Sequence, residues 1–470
     1  MAQEHFDRLT ALDASFLEQE GPTSHMHVGG VATFENPPPD FDEFLDTIRG
    51  RLHLVPRYRQ KLSYPPLNSG RPVWIDDPSF NIEYHVRRTA LPPPGSEEQL
   101  LLLTSRIFSQ QLDRAKPLWE MWIIEGLEND RWALINKTHH AMIDGVSGVD
   151  LATVIFDLSR EGTELEHPPE PWIPHTEPGD ADLVASGVLG AARTAIDAVK
   201  RTARIVSSPA AVFDEVRDGI EGVGEVAWAG LNAAPDTPLN VEIGPHRRFR
   251  VVEADLEDFK QIKNALGGTV NDAVLTVVSG ALRTWLESRG VRTEGLELRA
   301  LVPVSIRPKD AHGEFGNQIA AMRGPLPVYI DEPEARLAMV RRSMDGLKES
   351  KQAVGAEVLS GVQNFAPPTI LAQASRLNFS TRLFNLIVTN VPGPQFPLYV
   401  GGSKLLSIAP VAFLPKKHAL AIAIMSYNGS LNFGLLGDYD AMDDLDLIAD
   451  ALRTSIDELL ELSSQSASAQ

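Results

Sequence analysis

Apolar residues recur along the chain with two spacings, 3.6 and 2, and the alternation of the two predicts an order of elements. Leu12-Asp13-Ala14-Ser15-Phe16-Leu17 precedes a strand over residues 25–31 that enters the core. Phe41, Phe44, Leu45, Ile48 and Leu52 follow helical spacing, and Asp40 with Glu43 is a capping-box pattern at their start. Ser96 with Gln99 opens a second helix carrying Leu100, Leu103, Ile107 and Phe108. Pro117-Leu118-Trp119-Glu120 leads into a strand over 121–125, Asn129-Asp130 makes a hairpin turn, and the next strand ends at His140. A helix is expected over 149–158.

Residues 163–180 hold Pro168, Pro169, Pro171, Pro174 and Pro178 among acids, without apolar periodicity, and read as a linker. Residues 183–231 read as one or two amphipathic helices joined near Pro209, with Arg193, Lys200, Arg201 and Arg204 among few acids. The second half shows a strand over 249–254 and a helix capped by Thr269 that buries Val274, Val277, Val278, Ala281, Leu282 and Trp285. Strands then follow over 296–304, after Gly316-Asn317-Gln318, over 383–391, and as a pair, 419–426 and 431–437, about the turn Asn428-Gly429. Leu445, Ile448, Leu452, Ile456 and Leu459 mark a closing helix, and 463–470 read as disordered. Strand and helix alternate in both halves without a Gly-x-Gly-x-x-Gly turn. The pattern therefore predicts two α/β layers, each a sheet covered by helices, in place of a dinucleotide fold. The division is 1–165, a linker over 166–238, and 239–470.

Composition narrows the function. The chain has 470 residues, a net charge of −20 and no cysteine. Nucleic acid is a poor partner for such a charge, and an anionic ligand needs a local basic patch. A thiol nucleophile and disulfides are excluded, which fits a reducing, cytoplasmic setting. The first eight residues lack the apolar core of a signal peptide. The most apolar run, 408–425, is broken by Pro415, Lys416, Lys417 and His418, so no transmembrane span is expected.

The chemistry concentrates in Thr138-His139-His140-Ala141-Met142-Ile143-Asp144-Gly145. Side chains alternate along a strand, so His139 and His140 cannot both face one cavity. One is expected to be a proton-transferring base and the other a packing or orienting residue. Adjacent histidines that point apart, with no third ligand at a recognised spacing, make a poor metal site.

The pattern His-His-x-x-x-Asp-Gly resembles the active-site motif of the CoA-dependent acyltransferase superfamily. The chain as a whole resembles the bacterial wax ester synthase/acyl-CoA:diacylglycerol acyltransferase family. The residues that carry the likeness are Leu12-Asp13 with Met26-His27-Val28-Gly29, Pro117-Leu118-Trp119, residues 139–145, Pro238-Leu239-Asn240, Asn271-Asp272, residues 303–307, Gly316-Asn317 and residues 390–394. The resemblance implies two chloramphenicol-acetyltransferase-like domains, each a mixed sheet flanked by helices, with an active-site channel between them. It implies direct acyl transfer from acyl-CoA to a lipid hydroxyl, diacylglycerol or a long-chain alcohol, with no cofactor and no covalent acyl-enzyme.

Carried onto this sequence, the resemblance makes His140 the base, His139 its neighbour in the motif, and Asp144, set by the Gly145 turn, a structural acid with Arg307 as its candidate partner. Asn271 and Asp272, at a helix start, and Ser305 are candidates for holding a carbonyl or oxyanion. His246, Arg247 and Arg248 are candidates for the phosphates of CoA. Two other readings stand beside this one: the same fold acting on a polyketide or amine acceptor, and a non-catalytic lipid-body protein. Residues 183–231 are expected either to lie on a membrane or lipid-droplet surface through their basic face, or to pack internally.

Overall fold

The computed structural model describes residues 6–66, 70–143, 154–162, 172–184, 233–305, 319–349 and 379–468. The first half contains β1 (Asp7–Arg8), α1 (Ala11–Gln19), β2 (His27–Glu35), α2 (Phe41–Arg51), β3 (Gln60–Ser63), β4 (Val73–Asp76), α3 (Ile82–His85), β5 (Val86–Ala90), α4 (Glu97–Phe108), β6 (Trp119–Leu127) and β7 (Arg131–His139). The second half contains β8 (Arg247–Asp255), α5 (Leu256–Leu266), α6 (Val270–Ser288), β9 (Leu298–Ser305), β10 (Ile319–Leu326), α7 (Pro333–Glu349), β11 (Leu386–Pro392), β12 (Tyr399–Val400), β13 (Ser403–Val411), β14 (Leu420–Tyr427), β15 (Ser430–Asp438) and α8 (Leu445–Ser468).

Two mixed six-stranded sheets organise these elements, in the orders β12-β13-β2-β7-β6-β5 and β10-β9-β11-β14-β15-β8, with a small β1-β4-β3 sheet beside them. The expected helix caps form, that of α2 through Asp40 alone and without the reciprocal Glu43 bond of a capping box. Asp40 caps α2 by accepting from the amides of Asp42 and Glu43. Ser96 and Gln99 form a reciprocal capping box on α4, as Thr269 and Asp272 do on α6. Asn129 and Asp130 take the left-handed φ values of 60° and 50° that a tight hairpin needs. α6 is buried without interruption from Asp272 to Leu282, because α5, α7 and α8 pack around it. Among the described residues no single helix is long and apolar enough to cross a membrane. The pair α5 and α6, long enough together, is bent by 99°.

The strand β13 lies outside the linear division of the chain. It follows position 239, yet it pairs antiparallel with β2 from Leu405↔Phe34 to Val411↔Gly29, so the second half supplies two strands of the first sheet. β13 also packs against the second sheet. A Cβ added at Gly434 of β15 would stand 1.8 Å from the carbonyl oxygen of Pro410. The absence of a side chain there lets the two sheets approach.

Two sequence expectations are corrected. The helix expected over 149–158 is helical at Val154 and Ile155, but the chain is then extended at Asp157, which exchanges backbone hydrogen bonds with Tyr399 of 2.8 and 2.9 Å. The buried Arg51–Asp157 ion pair holds it there. The tail over 463–468, read as disordered, continues α8. Ser463 faces inward and accepts a 2.9 Å hydrogen bond from Gln261 Nε2. Residues 163–171 and 185–232, which hold most of the linker and of the amphipathic segment, lie outside the described residues.

The close approach at Gly434 is testable. Gly434→Ala should lower stability by about 1–3 kcal/mol through overpacking. Gly346→Ala, exposed on α7 with nothing within 4 Å of the added Cβ, should raise it by up to about 1 kcal/mol. Thermal unfolding of both variants checks this. Equal midpoints would mean that the sheets are not in contact at Gly434.

Candidate active site

The site grows out of the β2–β7 ladder. His27 stands directly opposite His139, and Gly29 opposite Lys137. Alternation puts Lys137 and His139 on one face. Lys137 is fully buried there: its ammonium donates to the α4-end carbonyls of Ile107 (2.8 Å) and Gln110 (2.9 Å) and lies 2.6 Å from Glu120 Oε1. A buried ammonium is tolerated only with such partners.

The ladder ends where the motif begins. The amide of His139 donates to the carbonyl of Leu118 (2.9 Å), and that of His140 to the carbonyl of Met26 (2.8 Å). A single turn of 3₁₀ helix, His140–Met142, follows, and His139 caps it: its Nδ1 accepts from the amide of Ala141 at 3.0 Å. The turn rotates the second ring away from the first. His139 is fully buried, whereas His140 keeps an accessible edge.

His140 sits in an aromatic box drawn from both halves. Its ring stacks on Phe16 of α1 at 4.0 Å and meets the edge of Phe413, just after β13, at 5.5 Å. Phe379 closes the box, 5.8 Å from both Phe16 and Phe413. Desolvation by these rings, with His139 beside it, lowers the His140 pKa to about 4. The imidazole is therefore neutral at pH 7, the form that can take a proton. Its Nδ1 is buried and has no hydrogen-bond partner among the described residues.

Behind His139 lies a carboxylate that the sequence reading did not single out. Glu20, at the end of α1, has Arg114 Nη2 2.6 Å from Oε2, His27 Nε2 3.4 Å from Oε1 and His139 Nε2 3.7 Å from Oε2. Burial raises its pKa, yet contacts from His139 and His27 hold it well below the usual carboxylate range. Burial also lowers the His27 pKa to about 3, so that ring is neutral too. The available signal was the alternation of His25 and His27 opposite the motif strand, together with an acid closing an apolar helix.

The other candidates are placed as follows. Asp144, Gly145 and Arg307 lie outside the described residues. Ser305 is the last residue of β9, in register with Ile319. Asn271 is in the first turn of α6, where its Oδ1 accepts from Asn390 Nδ2 at 3.4 Å. Asp272 is committed to the cap, accepting from the amide and the hydroxyl of Thr269, both at 2.8 Å. Arg247 requires a correction. Strand alternation turns it inward, where its guanidinium donates to the carbonyls of Gly244 (2.7 Å), His246 (2.9 Å) and Thr23. It ties the two halves together and is not presented to a phosphate. Arg248 lies 4.0 Å over the ring of Tyr439, and His246 is exposed beside it. No group of three or more His, Asp or Glu side chains is arranged to hold a metal among the described residues.

Family models and known proteins agree with one another. The wax ester synthase/diacylglycerol acyltransferase catalytic domain matches residues 9–274, and the C-terminal domain of the same family matches 315–460. The probable diacylglycerol O-acyltransferase tgs1 of Mycobacterium tuberculosis is 32% identical over 467 residues, covering 97% of this chain and 96% of the relative. The probable diacylglycerol O-acyltransferase tgs2 of the same organism is 33% identical over 463 residues, covering 96% and 98%. Among solved structures, the wax ester synthase/diacylglycerol acyltransferase of Marinobacter aquaeolei VT8 matches with a TM-score of 0.69 and 27% identity, over 97% of this chain and all of that one. The first condensation domain of the calcium-dependent antibiotic synthetase shares the fold, with a TM-score of 0.59 at 16% identity over 97% of each chain. With both family models matched in order along one polypeptide, and relatives above 30% identity over nearly its whole length, the chain belongs to the wax ester synthase/diacylglycerol acyltransferase family.

Proposed function

We propose that this protein transfers a long-chain acyl group from acyl-CoA to the free hydroxyl of diacylglycerol, with long-chain alcohols as a second acceptor and His140 as the general base. The observation that carries the proposal is the imidazole of His140 set between Phe16 of the first half and Phe413 of the second, keeping one accessible edge. With Nδ1 buried, Nε2 is the nitrogen left to act. It takes the proton from the acceptor hydroxyl as that oxygen bonds to the thioester carbonyl carbon. The tetrahedral intermediate then expels the CoA thiolate, which recovers the proton from His140, and the base returns neutral. The chain has no cysteine, and direct transfer needs no covalent acyl-enzyme.

Asn271 is the proposed donor to the developing oxyanion. Its neighbour Asp272 is occupied by the helix cap, whereas the Asn271 side-chain NH₂ makes no hydrogen bond among the described residues. Asp144, turned by Gly145 and paired with Arg307, completes the motif in this proposal on the strength of the family pattern. CoA phosphates are assigned to the exposed His246 and the half-buried Arg248, without Arg247.

Purified protein supplied with labelled palmitoyl-CoA and either diacylglycerol, hexadecanol or an amine acceptor tests the reaction and its acceptor together. Labelled triacylglycerol is the expected product. Amide alone, or CoA release without lipid ester, would contradict the proposal. His140→Ala should reduce the rate by about 100-fold or more, the contribution of a positioned base. His139→Ala should act mainly through the turn it caps, with a smaller loss and a lower unfolding temperature. Equal loss in two equally stable variants would sink the assignment of one base.

Access to a water-insoluble acceptor completes the proposal. Its support is the sequence pattern of 183–231, where Arg193, Lys200, Arg201 and Arg204 stand among apolar residues at helical spacing. Replacing these four with glutamine should weaken sedimentation with anionic liposomes and slow turnover of dispersed diacylglycerol, while sparing a short soluble alcohol. Unchanged liposome binding would assign the segment to internal packing.

A further inference from the structure

We propose that Glu20 is a positioning residue for His140, acting through His139 and anchored by Arg114; the inference rests on the reading of His140 as the base. Three observations lead to it. His139 Nδ1 accepts the amide proton of Ala141 at 3.0 Å, so that nitrogen carries no proton and the neutral ring is protonated at Nε2. Nε2 is buried with no hydrogen-bond partner among the described residues, and the acceptor facing it is Glu20 Oε2, at 3.7 Å. Glu20 is fixed in turn: Arg114 donates from Nε at 2.8 Å to Oε2, and from Nη2 to the carbonyl of Leu17 at 2.7 Å.

The chain of control then reads Arg114, Glu20, His139, the Ala141 amide, and the 3₁₀ turn that begins with His140. Its geometry is that of a base whose neighbour is oriented by a buried acid, one ring removed. The 3.7 Å gap is too long for a hydrogen bond. A closure of less than about 1 Å makes one, the kind of tightening expected when substrate fills such a site.

α1 connects this control to the pocket wall. The same nine-residue helix that ends next to Glu20 carries Phe16, whose ring stacks on His140 at 4.0 Å. Any movement of α1 is therefore felt by the base on its face and, through Glu20 and His139, at its backbone. The second imidazole on the carboxylate, His27, meets the other oxygen at 3.4 Å and also lies 3.4 Å from the amide of Leu112. It does not compete for the oxygen that faces His139.

The test removes the acid and its anchor together, Glu20→Met with Arg114→Met, so that no buried charge is left unpaired. Imidazole nitrogen-15 NMR reads the tautomer of His139, and steady-state kinetics separates kcat from KM. In the native chain His139 should show a single tautomer, protonated at Nε2. In the double variant the unheld ring should loosen its bond to the Ala141 amide and so admit the Nδ1-protonated tautomer beside the native one, with kcat lower by about 10- to 100-fold and KM for palmitoyl-CoA within about twofold. Glu20→Gln keeps an acceptor oxygen and should restore the single tautomer and most of kcat. A purely structural role would lower the unfolding temperature while leaving tautomer and kcat in place, and that result would overturn the inference. His140→Ala, assayed beside them, keeps the two readings apart. Full activity in His140→Ala defeats the base assignment, whereas native kcat and tautomer in the double variant defeat the role of Glu20 alone.

Discussion

The ladder between β13 and β2 is the interaction on which the arrangement depends. A strand from the second half is hydrogen-bonded into the first sheet from Leu405 to Val411, and the carbonyl of Pro410 reaches across to Gly434 of the second sheet. One segment therefore belongs to one sheet by hydrogen bonding and to the other by packing. Just after it, Phe413 lands on the site, against the ring of His140, and the carbonyl of Leu414 accepts from the hydroxyl of Ser24 at 2.9 Å. Without this exchange the aromatic box around His140 would lose a wall, and the imidazole would regain solvent.

Solvent exclusion decides the chemistry. A histidine in water titrates near 6.5 and is partly charged at neutral pH. Burial against Phe16 and Phe413 disfavours the charged form and moves His140 to about 4. Sign matters here. The folded pKa lies below the unfolded one, so the unfolded chain binds more protons as pH falls through 6.5 toward 4, and acid destabilises the fold over that window. His27 and His85 in the first half and His418 in the second, also buried, act in the same direction, so acid sensitivity is distributed through both halves.

Much of this was legible in the sequence because local rules dominate there. The capping boxes at Ser96 and Thr269 started helices where expected, and the apolar stripe of α6 was a buried one. The hairpin at Asn129-Asp130 delivered the strand that carries the motif. What escaped was set by partners distant in sequence. β13 was not predicted as a strand, and only its end, 408–411, was read, as the start of an apolar run, because nothing in its own residues says that its partner is β2. Glu20 was not singled out, because its burial follows from Arg114, His27 and His139 converging on it. Arg247 looked like half of a basic patch, and only the strand register turns it inward.

The central claim is that His140 is held neutral by exclusion of water between the two halves, and its own titration tests this most directly. Nitrogen-15 NMR of the imidazoles, assigned by comparison with His140→Ala, follows the ring as pH is lowered. The account predicts that His140 remains neutral through the physiological range and reaches half-protonation near about 4. Half-protonation near the solvent value of about 6.5 would contradict it.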